Sequence, residues 1–200
     1  MLRVGLTGGV ASGKTTAGEF FAKLGAAVFD ADRIVAESYE PGKPGARAVA
    51  ELFGRDFLAA GGAVDKAKVA ARVFSDAAAR RQLEAAIHPL VVSEIRKRFG
   101  SAEKEGRAVA IAEASQIFEA GYEYEFDRVV LVVSPEIARM KRWRDKGLDP
   151  EELSRRMAAQ VVENEARKKA DDVIVNAGTP EELREKIETL FAGWSRGPGT

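Results

Sequence analysis

The chain contains Gly8-Gly9-Val10-Ala11-Ser12-Gly13-Lys14-Thr15, which matches the pattern G-x-x-x-x-G-K-[ST]. The apolar residues 2–6 before it predict a short buried strand, and residues 16–24 after it predict a helix. A strand, a glycine-rich loop and a helix in this order form a phosphate cradle. This is because the loop N–H groups and the positive end of the helix dipole converge on one anion. The motif and its context therefore predict a nucleotide site.

Each residue type in the motif has a chemical reason to be there. Lys14 is expected to reach the β- and γ-phosphates of a nucleotide, and the Thr15 hydroxyl is expected to hold Mg²⁺. We expect the Lys14 side chain to face solvent. The alternative is a glycine-rich turn with an exposed lysine, which the flanking strand and helix disfavour. The predicted nucleotide-binding residues are Gly9, Val10, Ala11, Ser12, Gly13, Lys14, Thr15 and Thr16.

The composition of this 200-residue chain narrows the function classes. Lys plus Arg and Asp plus Glu each number 31, so no overall field attracts nucleic acid or an anionic membrane. Cysteine is absent, which excludes disulfides and thiolate metal sites. No apolar run reaches transmembrane length, and the few residues before the loop leave no room for a signal peptide. We therefore expect a soluble, cytoplasmic protein.

The pattern of short apolar runs predicts an α/β fold with a five-stranded parallel sheet. The runs alternate with helical stretches, as in sheets covered by helices on both faces. They lie at residues 2–6, 26–30, 107–112, 128–133 and 172–175. We predict a single domain over residues 1–200 with two subregions. Residues 33–99 are predicted to be a helical insertion, and the basic, helical residues 139–169 a mobile lid over the phosphates.

Acidic residues follow two of the predicted strands. Asp30 and Asp32 end the second strand, and strand alternation predicts that they share one side of it at the edge facing the loop. We expect Asp30 to cap the following helix and Asp32 to be catalytic, as a base for an attacking hydroxyl or a partner of hydrated Mg²⁺. Glu113 closes the third strand and is a candidate to reach Mg²⁺ through water. Alternatively, Glu113 is an acidic residue that ends a strand and has no role at a metal site.

Two further residue types have both structural and functional interpretations. His88 is the only histidine, and Pro89 after it predicts a kink or a restart of the helix over residues 81–99. We expect His88 to shape an acceptor pocket rather than to carry a phosphoryl group. Arg142 belongs to the basic residues 139–169, and its guanidinium fork suits phosphate oxygens. We expect Arg142 to be catalytic and Arg155 to lie on a solvated helix face.

Short motifs elsewhere in the chain add specificity to the generic loop. They are Phe29-Asp30-Ala31-Asp32, Phe53-Gly54, Val73-Phe74, Ile87-His88-Pro89-Leu90, Ile117-Phe118-Glu119 and Ala170-Asp171-Asp172-Val173-Ile174. Together with the loop, their order and spacing resemble those of dephospho-coenzyme A kinases over residues 2–192.

The resemblance implies a P-loop kinase with a core, an acceptor-binding part and a lid. It implies transfer of the ATP γ-phosphate to the ribose 3′-hydroxyl of dephospho-coenzyme A, with ATP and Mg²⁺ as cofactors. Asp32, His88 and Phe118 are then expected to bind the acceptor, and Thr15 and Glu113 the metal. The expected partner is this small molecule, with neither nucleic acid nor membrane. We expect a monomer, although the sequence is also compatible with an oligomer.

The chain departs from the family pattern at two places. Ser115-Gln116 stands where the family usually has Pro-Leu, which makes the acceptor pocket wall more polar. In the lid, Lys141, Asp145 and Ala166 stand where the family tends to place basic residues or arginines. The alternatives are therefore another small-molecule or nucleoside monophosphate kinase, and a nucleotide-binding regulatory protein that has lost transfer activity. A nucleic-acid-binding ATPase is disfavoured by the zero net charge.

Overall fold

The computed structural model describes residues 1–158 and 163–195. Within them, the strands are β1 (Leu2–Gly8), β2 (Ala27–Asp30), β3 (Val109–Glu113), β4 (Arg128–Val133) and β5 (Asp172–Val175). They form one sheet in the order β2-β3-β1-β4-β5. Strand β1 pairs in parallel with both β3 and β4, and β4 pairs in parallel with β5. The predicted five-stranded parallel sheet is confirmed.

The helices of the described residues alternate with these strands. They are α1 (Lys14–Lys23), α2 (Ala31–Ser38), α3 (Pro44–Phe53), α4 (Lys66–Ser75), α5 (Ala77–Lys104), α6 (Glu136–Asp145), α7 (Pro150–Ala158), α8 (Glu163–Lys169) and α9 (Pro180–Ser195). Short 3-10 turns lie at Arg55–Phe57 and Glu123–Glu125. Helix α5 continues through Pro89, so the alternative of a helix restart there is wrong.

The sheet carries apolar side chains on both faces. On one face, Leu6 and Val132 pack in a core with Phe21 of α1 and Ile187 of α9. On the other face, Leu131 and Val133 of β4 pack with Phe118 and with Ala166 of α8. Successive residues of a strand point to opposite faces of the sheet, and both faces of this sheet are covered. A central strand such as β4 therefore carries apolar side chains on both of its faces. This burial fixes the carboxyl ends of β1, β3 and β4, where the loop begins.

The chain divides into two compact units, one formed by residues 30–98 and the other by residues 1–29 and 99–200. In the part that the structure describes, the 30–98 unit is helical apart from the 3-10 turn and one isolated antiparallel bridge, Leu58 to Val64. Its own core is formed by Ala46, Val49, Val64 and Val69. Apolar burial therefore stabilises this unit from within.

The boundary between β2 and α2 differs from the sequence prediction. Strand β2 ends at Asp30, and α2 begins at Ala31. The Asp30 carboxylate caps α2 by accepting hydrogen bonds from the N–H groups of Asp32 and Arg33, at 2.8 and 3.3 Å, as predicted. The expectation that Asp30 and Asp32 share a side of the strand is wrong, because Asp32 already lies in the first helical turn.

Candidate functional site

The glycine-rich segment forms a tight loop between β1 and α1. The Ser12 N–H donates to the Gly9 carbonyl at 3.0 Å, which closes a turn inside the loop. Gly13 has φ +97° at the start of α1, and Ala11 has φ +59°, the only positive φ of a non-glycine residue in the described part of the chain. The conformation of Ala11 costs free energy and persists where the surrounding contacts fix it. The N–H groups of the first turn of α1 have no partner within the helix, as in any helix.

A cation, a hydroxyl and a carboxylate meet where the loop enters α1. One oxygen of Glu113, Oε1, accepts hydrogen bonds from Lys14 Nζ at 2.8 Å and from Thr15 Oγ1 at 2.7 Å. We call these three residues the Glu113 cluster. The side chains of Lys14 and Glu113 are only 12% and 8% exposed. The expectation that Lys14 faces solvent is wrong, because its charge is paired with a buried carboxylate at the end of β3.

The Glu113 cluster offers the oxygen chemistry that Mg²⁺ prefers. Thr15 supplies a hydroxyl oxygen and Glu113 a carboxylate, both hard donors. No group of three or more His, Cys, Asp or Glu side chains suited to a metal occurs among the described residues. A hydroxyl and one carboxylate fit a magnesium ion that keeps water and phosphate oxygens as its other ligands.

The other side of the loop is held by three side chains that donate to its carbonyl oxygens. Arg139 Nε donates to the Val10 carbonyl at 2.7 Å, and Asn176 Nδ2 donates to the Ser12 carbonyl at 2.8 Å. Arg142 lies within 3.3 Å of the Ala11 carbonyl and 3.5 Å of the Ser12 carbonyl. We call Arg139, Arg142 and Asn176 the carbonyl clamp.

The clamp is tied together by further hydrogen bonds. Arg142 donates to Ser134 Oγ at 2.8 Å and to the Asn176 carbonyl at 3.1 Å, and Ser134 Oγ donates to that carbonyl at 2.6 Å. Burial lowers the pKa of Arg142 from its ordinary value, and it also lowers the pKa of Arg139. Both guanidinium groups stay charged at neutral pH, because arginine is not deprotonated in proteins. The predicted catalytic cation Arg142 thus contacts the loop backbone, and its contact with phosphate stays a prediction.

A cavity of about 300 Å³ opens beside the loop, between the ends of β1 and β4, the segment after β3, and α8. Phe118, which we expected to bind substrate, lines it together with Ser115 and Arg139. Ser12 also lines it, and the Ser12 hydroxyl is buried without a hydrogen-bond partner among the described residues. An unsatisfied buried hydroxyl is costly unless water or a ligand pairs with it. The cavity is therefore candidate ligand space.

The remaining predicted substrate residues, Asp32 and His88, belong to the 30–98 unit. Asp32 is exposed in the first turn of α2, and His88 is partly buried in α5. Burial lowers the pKa of His88 from its ordinary value, and the nearby Glu84 opposes this shift. Their substrate roles stay predictions.

The predicted lid comprises most of α6 together with α7 and α8, and its residues 159–162 lie outside the described part of the chain. So does the side chain of Arg155. On α8, Arg167 and Lys168 pair with acids of the same helix at 2.8 and 2.7 Å. Arg144 on α6 is exposed. Of the described basic side chains in this segment, Arg139 and Arg142 are the ones with hydrogen bonds to the loop.

Sequence reasoning missed Asn176. It directly follows β5, as Glu113 closes β3, so it lies at the same carboxyl edge of the sheet. A polar residue at that edge is the signal that would have found it.

Among the residues that the structure describes, none of the helices combines the length and the apolar composition that a membrane-spanning segment needs.

Known proteins resemble this chain in sequence and in fold. A protein-family model described as dephospho-CoA kinase matches residues 2–182. The dephospho-CoA kinase of Methylococcus capsulatus is 40% identical over 197 residues, which are 98% of each chain. Among solved structures, TT1252 from Thermus thermophilus has a TM-score of 0.82 at 30% identity, over 96% of this chain and 97% of that one. The dephospho-CoA kinase from Campylobacter jejuni, at 22% identity, has a TM-score of 0.65 over 98% of each chain and shows the same fold.

Proposed function

Because this chain belongs to the dephospho-CoA kinase family, we propose that it transfers the γ-phosphoryl group of ATP to the ribose 3′-hydroxyl of dephospho-CoA, giving CoA and ADP. The observation that carries this proposal is the Glu113 cluster at the start of α1. It combines a cation for phosphate, a hydroxyl for a metal and a carboxylate at one helix N-terminus.

The loop binds the triphosphate of ATP through its backbone. The Ser12 N–H is bonded to the Gly9 carbonyl, so the other N–H groups of the loop and the helix dipole stabilise the negative charge. Lys14 adds a full positive charge at the β- and γ-phosphates. To do so, Lys14 exchanges part of its ion pair with Glu113 for phosphate oxygens. This positioning is most of what a phosphoryl-transfer enzyme supplies.

Thr15 and Glu113 are the residues that hold Mg²⁺ in this proposal. The ion, when bound, neutralises charge on the β- and γ-phosphates. The Thr15 hydroxyl would supply an oxygen ligand, and the Glu113 carboxylate would reach the ion through water. Since Glu113 Oε1 already lies 2.7 Å from Thr15 Oγ1, these two oxygen atoms need to move little to hold the ion.

Asp32 is the proposed base for the acceptor. Its carboxylate takes the proton of the ribose 3′-hydroxyl while the oxygen of that hydroxyl bonds to the γ-phosphorus. The bond from that phosphorus to the bridging oxygen breaks, and ADP leaves. Asp32, His88 and Phe118 also bind the acceptor. The partly buried His88 contributes as a neutral hydrogen-bonding group rather than as a charged one, because burial lowers its pKa.

The segment of residues 139–169 is the proposed lid, and residues 33–99 the proposed acceptor-binding part. Arg142 contributes positive charge next to the loop and supports the loop through its carbonyl contacts. We also propose that the enzyme acts in the cytoplasm, where ATP is abundant, and that it does so as a monomer. Mass measurement in solution checks the last point.

An acceptor screen tests the proposed function. ADP release is measured with dephospho-CoA, with each nucleoside monophosphate, with shikimate, and without acceptor, for the wild type and Lys14→Ala. The proposal predicts release that depends on dephospho-CoA and on Lys14. Faster release with a nucleoside monophosphate would identify a different kinase. ATP binding without release under any condition would favour a regulatory protein.

A further inference from the structure

The carbonyl clamp fixes the direction of the peptide groups in the loop. In a planar trans peptide, the C=O and the following N–H point in opposite directions. The Ser12 carbonyl points to Asn176, so the Gly13 N–H points away from it, and the Val10 carbonyl points to Arg139, so the Ala11 N–H points away. The clamp thus fills one side of the loop with donors and leaves N–H groups on the opposite side.

Asn176 is the most deeply buried member of the clamp. It is 5% exposed. Its own N–H donates to the Val133 carbonyl at 2.8 Å, and its carbonyl accepts from Ser134 Oγ and Arg142. With its backbone fixed at both groups, the side-chain amide has a defined direction toward Ser12.

The loop is built to accept this amide. A Cβ atom on Gly13 would overlap Asn176 Nδ2, so the amide occupies the space that any other residue at position 13 would fill. Gly13 also needs its positive φ of 97° to begin α1, and Ala11 is held at φ +59° two residues earlier. Glycine adopts a positive φ readily, but the left-handed conformation of Ala11 is one that a free chain rarely adopts. Contacts from outside the loop therefore help to maintain the conformation of Ala11.

We propose that Asn176 is a positioning residue for the triphosphate of the bound nucleotide. It holds the Ser12 carbonyl, and through the Ser12–Gly13 peptide it keeps the Gly13 N–H and the N-terminus of α1 directed at the phosphates. The inference rests on the proposed function and deepens it, since it names a determinant of triphosphate affinity that touches neither substrate. Its loss lowers the affinity for any triphosphate, with or without a base attached.

The test uses Asn176→Asp, an isosteric change that replaces the Nδ2 donor by a carboxylate oxygen and adds a negative charge at neutral pH. The matched control is Thr189→Asp, which introduces a carboxylate at an exposed position of α9. Calorimetry measures the affinities of the full-length protein for ATP and for inorganic tripolyphosphate, and steady-state kinetics measures kcat and KM for ATP. We expect Asn176→Asp to weaken both ligands by about the same factor, about tenfold or more. The control stays at wild-type values.

A pH series separates positioning from a general structural defect. The carboxyl group that Asn176→Asp introduces can again donate to the Ser12 carbonyl once it is protonated, and burial beside that carbonyl raises its pKa. The affinity ratio of wild type to Asn176→Asp for tripolyphosphate is therefore expected to shrink between about pH 8 and about pH 5.5. Asn176→Ser, whose hydroxyl is too short to reach Ser12, removes the donor without adding charge. It is measured with the same two ligands at neutral pH, and it carries the comparison alone if Asn176→Asp does not fold.

Two results would overturn the proposal. One is unchanged tripolyphosphate affinity in a folded Asn176 variant. The other is a loss confined to ATP, which would mean that Asn176 acts on the nucleoside. Neither result depends on the acceptor. The proposed function fails separately, when the wild-type protein binds ATP but does not phosphorylate dephospho-CoA.

Discussion

The phosphate loop has two sides that differ in how the sequence reveals them. The Glu113 cluster is built from two adjacent motif residues and one acid that closes a strand. The carbonyl clamp is built from α6 and from the residue after β5, more than 120 positions from the loop. The cluster presents side chains for chemistry, whereas the clamp orients the backbone. Motifs therefore identify the chemistry of the site, and tertiary structure identifies what holds it in place.

The largest effect is expected in the Glu113 cluster. Lys14→Ala removes the positive charge at the β- and γ-phosphates and is expected to lower kcat at least about 10³-fold. It also leaves the buried Glu113 carboxylate without its cation, which is expected to reduce the free energy of unfolding by about 2 kcal/mol or more. Activity assays and denaturant unfolding measure the two effects. The control is Lys23→Ala, at the exposed end of the same helix, and comparable turnover in the two variants would remove Lys14 from the site.

The next effect separates the two aspartates around the start of α2. Asp32→Asn is expected to lower kcat by about 10²–10⁴-fold with little change in ATP affinity, because a base acts in the transition state. Asp30→Asn keeps a side-chain oxygen that can cap α2, so both stability and kcat are expected to stay near normal. Kinetics and unfolding of both variants check the assignment. The opposite pattern, with kcat lost only in Asp30→Asn, would reverse it.

A smaller effect is expected in the carbonyl clamp. Arg142→Lys keeps the charge but loses the guanidinium fork that joins the loop to Ser134 and Asn176. We expect kcat to fall by about ten- to a hundredfold, because a slightly displaced loop misplaces the phosphates. Arg144→Lys, an exposed change on the same helix, is the matched control. Equal turnover in the two variants would show that the clamp does not need Arg142.

The smallest effect is expected at His88, which belongs to neither the Glu113 cluster nor the carbonyl clamp, and it concerns stability alone. Because burial lowers the pKa of His88, the unfolded chain binds more protons than the folded one between the two pKa values. The contribution of His88 to the free energy of unfolding is therefore greatest above the unfolded pKa of about 6.5. It is lost as the pH falls from there through the folded pKa, because His88 must then be protonated in its buried position. His88→Gln is expected to flatten this part of the unfolding profile. A profile of wild-type slope in His88→Gln would contradict it.

The fold was predictable because its signals are local. Apolar runs located β4 and β5 at their observed bounds, and the polar residue that ends β3 was correctly identified as Glu113. Burial on both faces of a parallel sheet produces such runs without reference to distant residues. The N-terminal cap of α2 by Asp30 followed from the same local chemistry.

The remaining features depend on contacts that sequence spacing does not contain. The pairing of Lys14 with Glu113 joins residues 99 positions apart, and the bond from Asn176 to the Ser12 carbonyl joins residues 164 apart. The periodicity of the sequence does not indicate which distant residue either of these side chains will bond to. The error at Asp32 had a different cause, because strand alternation was extended across a boundary where the Asp30 cap begins a helix.

The proposed transfer to dephospho-CoA is tested most directly by locating the phosphate in the product. The purified protein is incubated with ATP, Mg²⁺ and dephospho-CoA, and the product is examined by mass spectrometry and by phosphorus NMR with proton coupling. We expect one added phosphate, on the ribose 3′-oxygen, and no product from Lys14→Ala. A phosphate at another oxygen, or ADP formed without a phosphorylated acceptor, would contradict it.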